Sequence, residues 1–287
     1  MKSAVDISLN SSDAYSRLSA SGIAWPTIGL FGFLMVAGAA NVWLALTGAI
    51  PLWGGMLINA VLLYVLEHVY HEAIHSNISG NHPNMRWLND LIGHAGNFWM
   101  FLPFPAFKAV HLAHHRSPNH PTLDCDMWFA SKTLLGVAAR CSTLLLGYEI
   151  QLQRLARLGF VEAKTMRQIY FTRAIWVAVV GACIYFGFAR EVLMLWVLPS
   201  LLAMPVLAFL FAYIVHYPHD STERYKSSNV WLSHNPVLQK LLTTIFLFQN
   251  YHLVHHLHPR VPFYRYAKVF NEIRPQLEDK GAPLRYI

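Results

Sequence analysis

Four apolar stretches constrain the fold more than any other feature of the sequence. They cover about residues 25–46, 51–66, 170–189 and 192–216, and the second continues as a helix to about residue 75. Each is long enough to cross a bilayer, which takes about 20 residues of helix. The links at 47–50 and 190–191 are so short that they must be hairpin turns on one side of the membrane. Residues 1–24, 76–168 and 217 onward then share the other side. Lys and Arg number 2, 9 and 9 in those three pieces, with Arg173 at their edge and only Arg190 at the opposite end. The positive-inside rule makes that richer side cytoplasmic. The expectation is an all-α integral membrane protein, multi-pass, forming one domain over residues 1–287. It has four transmembrane helices at about 25–46, 51–75, 170–189 and 192–216, and both termini inside. A cytosolic helical cap comprises about 76–168 and 217–287.

Composition agrees. Charged residues make up 13% and hydrophobic ones 55%, against about 25% charged in soluble domains. The net charge of +7 belongs to loops of this kind. There is no basic stripe with interleaved aromatics of the sort nucleic-acid binding uses. Cys125, Cys141 and Cys183 form no CxxC pair, which argues against a fused rubredoxin or iron–sulfur module. The polar segment 1–20 lacks the basic-then-apolar pattern of a cleaved signal peptide and reads as a short tail. Segment 90–110 is apolar but broken by Pro103 and Pro105, so it reads as re-entrant or interfacial. Segment 131–168 has basic and apolar residues at helical spacing and reads as amphipathic helices on the membrane face. Trp25, Trp43, Trp53, Trp176 and Trp196 lie near the ends of spans and read as interfacial anchors.

The placement of the 16 histidines is the strongest chemical signal. One cluster, His71-Glu-Ala-Ile-His75, ends the second span. The others are His111-Leu-Ala-His114-His115 and His252-Leu-Val-His255-His256. Positions i, i+3 and i+4 share a helix face, so HxxHH and HxxxH each aim two or three imidazoles at one point. Neutral imidazole suits iron, zinc and copper. Eight such rings exceed the first shell of one ion, and two ions are the economical solution. His216 ends the fourth span at the depth of His75 and is the favoured ninth ligand over His219. His68, one turn before His71, is either a residue orienting a ligand or simply packed. His82, His94, His120 and His234 are lone histidines and read as bystanders. Glu72, Asp124 and Asp126 are candidate carboxylates for the outer nitrogens of ligand rings.

His71 to His75 also fits H-E-x-x-H, with Glu72 as general base of a zinc protease. That alternative, like a metal transporter, leaves both HxxHH clusters unexplained. The clusters also lie beyond the helix ends, whereas transport sites sit near the midplane.

HEAIH, HLAHH and HLVHH stand in the order and rough spacing of the membrane fatty-acid desaturase/hydroxylase superfamily, which the chain resembles from about residue 60 to 275. Two stretches, FPAFKAVHLAHHRSPNHPTLDCD and FLFAYIVHYPHD…FQNYHLVHHLHPRVPFYRY, are similar to desaturase-like β-carotene hydroxylases. Cys125 departs from that family's DPD-like element, while Asp124 and Asp126 remain. The resemblance implies a non-haem di-iron centre, with O2 as co-substrate, that hydroxylates or desaturates a lipid hydrocarbon, either a fatty acyl chain or a carotenoid. Electrons must then come from an external carrier of the ferredoxin or cytochrome type, because the chain shows no flavin, haem or cysteine-cluster motif.

Overall fold

A computed structural model describes residue 19 and residues 22–287. The reading of segment 1–20 as a tail falls almost wholly outside those residues. Among the described residues, four helices are long and apolar enough to span a membrane. They are α1 (Trp25–Leu46), α2 (Leu52–Ile74), α7 (Ala163–Tyr185) and α8 (Ala189–Tyr213). Their sequences carry the reason. Mean hydropathy over the best window runs from 1.3 to 2.3, and helices satisfy every backbone polar group internally, as hydrocarbon requires. Tight turns through Gly48 and Gly187, both with positive φ, join α1 to α2 and α7 to α8.

Two span boundaries move from their expected places. α7 begins about two turns before residue 170, and Arg190 and Glu191 fall in the first turn of α8 rather than in the link. α8 carries two π-helical turns, Leu193–Val197 and Phe209–Tyr213, and Pro205 lies within it. A proline withholds one N–H and its ring crowds a carbonyl four residues back.

Between α2 and α7 the chain makes α3 (Trp87–Phe98) and α4 (Phe104–Arg116). α3 packs along α2 and runs down beside the spans. Its end is fixed where the Trp99 carbonyl accepts from Trp196 Nε1 at 3.1 Å and Ser200 Oγ at 2.6 Å. The chain reverses at Met100–Leu102, and α4 returns toward the histidines. The close approach of the two arms depends on Gly93, where a Cβ would meet the Phe104 ring at 2.3 Å. This dip corrects the reading of two tryptophans. Trp176 and Trp196 are 6% and 7% exposed, covered by Phe98 and Phe101, whereas Trp25, Trp43 and Trp53 are exposed.

The remaining helices gather at the end of the bundle opposite the two tight turns. α5 (Leu134–Ser142) and α6 (Leu144–Arg157) follow α4, with Leu134 and Leu135 exposed on the first and Leu146 and Ile150 on the second. α9 (Pro236–Ile245), α10 (His252–Leu257) and α11 (Tyr266–Asp279) close the chain. One departure from the all-helical expectation is a two-stranded parallel sheet of β1 (Val230–Leu232) and β2 (Leu284–Tyr286). It ties the C-terminal end to the segment after α8. The core of this part, including Val230, Leu253, Val261, Tyr266 and Leu277, is separate from the larger core between the spans and α3–α6.

Candidate metal centre

α2, α4, the end of α8 and α10 converge, and each brings its histidines for a local reason. His71 and His75 are four apart on α2, so both project from one side of its last turn. His111, His114 and His115 do the same on α4, and His252, His255 and His256 on the short α10. His216 follows the second π turn of α8. The structure brings these nine rings into two groups. His71, His75, His111, His115 and His255 form one; His114, His216, His252 and His256 form the other. Ring centroids of His115 and His256, one from each group, stand 4.3 Å apart and stack.

The spacing within each group tests what they fit. In the first, Nε2 of His111 lies 3.0 Å from Nε2 of both His71 and His75, and Nε2 of His115 lies 2.8 Å from that of His255. In the second, Nε2 of His256 lies 3.1 Å from those of His114 and His252, and His252 lies 3.0 Å from His216. Imidazole ligands about 2.1 Å from one ion are about 3.0 Å apart at right angles and about 3.4 Å apart at the tetrahedral angle. The observed contacts match right-angled neighbours, which suits a six-coordinate transition ion better than tetrahedral zinc. The first group would offer an ion five ring nitrogens and the second four.

For four of the nine rings the outer nitrogen is fixed by an acceptor, while Nδ1 of His71 has no partner among the described residues. Nδ1–H of His114 donates to Asp124 Oδ1 at 2.7 Å, of His216 to the Ser227 carbonyl at 2.8 Å, of His252 to Gln249 Oε1 at 2.6 Å and of His255 to the Tyr266 oxygen at 2.7 Å. A fixed acceptor at Nδ1 selects the tautomer with Nε2 bare and locks the ring's direction. Burial, then the like charge of neighbouring rings, holds His111, His115, His252, His255, His256 and His216 well below the ordinary histidine range. They are neutral at physiological pH and ready to ligate. His114 differs. Burial lowers its pKa, but Asp124 and Asp126 outweigh that and push it up to about 9.

The candidate outer carboxylates separate cleanly. Asp124 is held in place by the backbone N–H groups of Asn119 and Asp126. Asp126 lies 3.7 Å from His114 Nδ1 and accepts from Tyr148 Oη and Cys125 Sγ. Cys125, in the departing position, is thus buried packing for Asp126. Glu72 does not take its expected role: it is fully buried, accepts from Asn77 Nδ2 at 3.1 Å and makes no hydrogen bond to a histidine ring. The same pairing disfavours it as the general base of a protease. His68 meets Glu67 and the Phe211 and Phe263 rings, and makes no hydrogen bond to His71. His219 packs on Tyr213 and joins neither group.

Sequence reasoning missed Gln249, Ser227 and Tyr266. Gln249 carried a signal, standing three residues before His252 on the same face. Ser227 acts through its backbone and Tyr266 across a loop, so neither left a local trace.

A cavity opens beneath the rings toward the spans. Its walls include His71, His252, Leu102, Met204, Leu207 and Phe211. A second, apolar cavity lies further along α2, where Leu63, Leu66, Trp99 and Trp196 contribute.

Comparison with known proteins identifies the family. The family model for fatty acid desaturase matches residues 42–287. The chain is 21% identical over 278 residues to a chloroplastic omega-3 fatty acid desaturase of Ricinus communis, covering 86% of this chain and 57% of that protein. It is 22% identical to an omega-3 fatty acid desaturase, chloroplastic, of Brassica napus (88% of this chain, 68% of the relative) and 22% identical to the sn-2 acyl-lipid omega-3 desaturase (ferredoxin), chloroplastic, of Arabidopsis thaliana (88% and 62%). The chain therefore spans little more than half the length of the Ricinus relative. By the match over most of its length, this chain belongs to the fatty acid desaturase family.

Proposed function

We propose that this chain is a membrane oxidoreductase that holds two iron ions on its nine clustered histidines and uses O2 to desaturate a fatty acyl chain. One observation carries the reading: two adjacent groups of five and four imidazoles at right-angled ligand spacing, directly above a cavity that faces the spans. The iron pair would supply the oxidising power that an unactivated C–H bond requires and that no side chain has. The protein's own part is positional. Asp124, Gln249, Tyr266 and the Ser227 carbonyl aim the rings, and the walls of Met204, Leu207 and Phe211 keep the cavity apolar and hold a hydrocarbon against the centre, where small misplacement is costly.

The names of the curated relatives turn the substrate toward an acyl chain and away from a carotenoid ring. Hydroxylation begins with the same hydrogen abstraction, so the two outcomes differ by placement of the chain alone. Among the described residues, the charge excess at the histidine end favours a cytosolic centre. The electron source is an external one-electron carrier. The name of the Arabidopsis relative points to ferredoxin, and a cleft lined by Arg86, Lys108 and Arg260, with Asp90 among them, would suit a carrier with an acidic surface. The test is incubation of purified, iron-loaded protein with an electron donor, acyl lipid and 18O2. An alkene without label is the expected product. A labelled hydroxyl group replaces desaturation by hydroxylation, and an unchanged acyl lipid under working electron supply refutes the substrate class.

A further inference from the structure

Glu67 is a carboxylate that the reading so far leaves without a task. It lies on α2 one turn before His71, inside a membrane-spanning segment, and is 8% exposed. Its side chain forms part of the wall of the cavity beneath the histidines, together with His71, His252, Met204, Leu207 and Phe211. The other polar wall groups with known bonds are committed: Gln249 to His252, Tyr148 to Asp126, and Asp126 in turn to His114. Glu67 Oε2 has the Nδ1 of the neighbouring His68 at 3.0 Å. Oε1 has no donor among the described residues. The carboxylate also belongs to neither histidine group, so it is not a further metal ligand.

A carboxylate in a membrane interior is costly and is retained where it serves a function. The wall is half polar and half apolar, and an acceptor on it without a donor can take one from whatever occupies the cavity, since a polar group shut from water without a partner costs free energy. We infer that Glu67 is a specificity-determining residue that accepts a hydrogen bond from a hydroxyl group on the lipid in this cavity. The inference rests on the reading of that cavity as the hydrocarbon site. One helical turn, about 5.4 Å of rise, separates Glu67 from His71, so the hydroxyl lies only a few carbon–carbon bonds from the carbon held at the centre. A neutral donor fits better than an ammonium group, which would have to be stripped of water to reach the same wall. The preferred substrate is therefore an already oxygenated chain, and the class of reaction that supplies it is a prior hydroxylation or a carbonyl reduction.

The test is binding, so it needs no turnover. Iron-loaded protein in lipid nanodiscs is titrated with methyl octadecanoate and with a set of methyl hydroxyoctadecanoates in which the hydroxyl is moved along the chain. At least one isomer should bind the parent protein about 10- to 100-fold more tightly than the unsubstituted ester, the scale of a hydrogen bond to a charged group. Glu67→Leu should reduce that ratio to below about threefold, and Glu67→Gln, which keeps an acceptor oxygen, should retain most of it. Iron content of each variant, measured in parallel, separates a lost contact from a lost centre. A parent protein with no preference for any isomer, or a Glu67→Leu variant that keeps the preference, overturns the inference. Failure of the desaturation reading would register instead as absent product from the esters that do bind.

Discussion

Replacing Tyr266 with phenylalanine removes one oxygen from the centre and little else. Tyr266 is fully buried, and its oxygen accepts from His255 Nδ1 at 2.7 Å. Phenylalanine keeps the ring in the core beside Leu253, Val254 and Val269, so no large cavity forms. What changes is His255. Its Nδ1–H loses its acceptor in a dry site, which costs about 1–3 kcal/mol, and the ring no longer has a fixed tautomer. An outer partner of this kind is worth about 10- to 100-fold in metal affinity, and the two scales agree. The assay is iron titration of the metal-free variant against a chelator of known affinity, read together with thermal unfolding. Tyr251→Phe is the matched control: Tyr251 is 6% exposed and its oxygen accepts from Gln239 Nε2 at 3.1 Å rather than from a ligand ring. Both variants should lose some thermal stability, and only Tyr266→Phe should bind iron more weakly. Equal iron affinity in Tyr266→Phe and the parent would refute the claim that the outer shell sets the rings.

Two further outcomes follow from the same geometry. Gly93→Ala places a methyl group into the Phe104 ring and should cost about 1–3 kcal/mol through overpacking, measured as a fall in unfolding temperature with loss of iron, because α4 carries three of the ligands. In the iron-free protein, the pKa of His114 near 9 lies above its unfolded value of about 6.5. Its pairing with Asp124 is therefore fully stabilising below about pH 6.5 and is lost as pH rises through about 9. The unfolding temperature of the iron-free parent should drop across that window, and the drop should shrink in Asp124→Asn; an identical profile in both would refute the assignment.

The spans and the three histidine clusters were legible because both are written in local periodicity. Twenty apolar residues declare a span, and i, i+3, i+4 histidines declare a shared face. What periodicity does not encode is which face meets which neighbour. Trp176 and Trp196 looked like anchors because their positions near span ends are visible, whereas the dip of α3 and α4 that covers them is a tertiary event. Glu72 looked like a partner for a ligand because it sits between His71 and His75, yet on a helix adjacent residues point about 100° apart, and Asn77 claims it. The short sheet of β1 and β2 joins segments more than fifty residues apart, with no alternation long enough to announce it. Glu67 did leave a signal, a carboxylate inside an apolar run, and its meaning became readable only once the cavity around it was in view.

Metal counting in single-site variants distinguishes two metal sites on the histidines from one. Protein loaded anaerobically with iron should contain about two ions per chain. His75→Ala, in the five-ring group, and His216→Ala, in the four-ring group, should each retain about one. A parent protein holding a single ion, or zinc in preference to iron, or a variant of either group that keeps both ions at full affinity, would contradict the account.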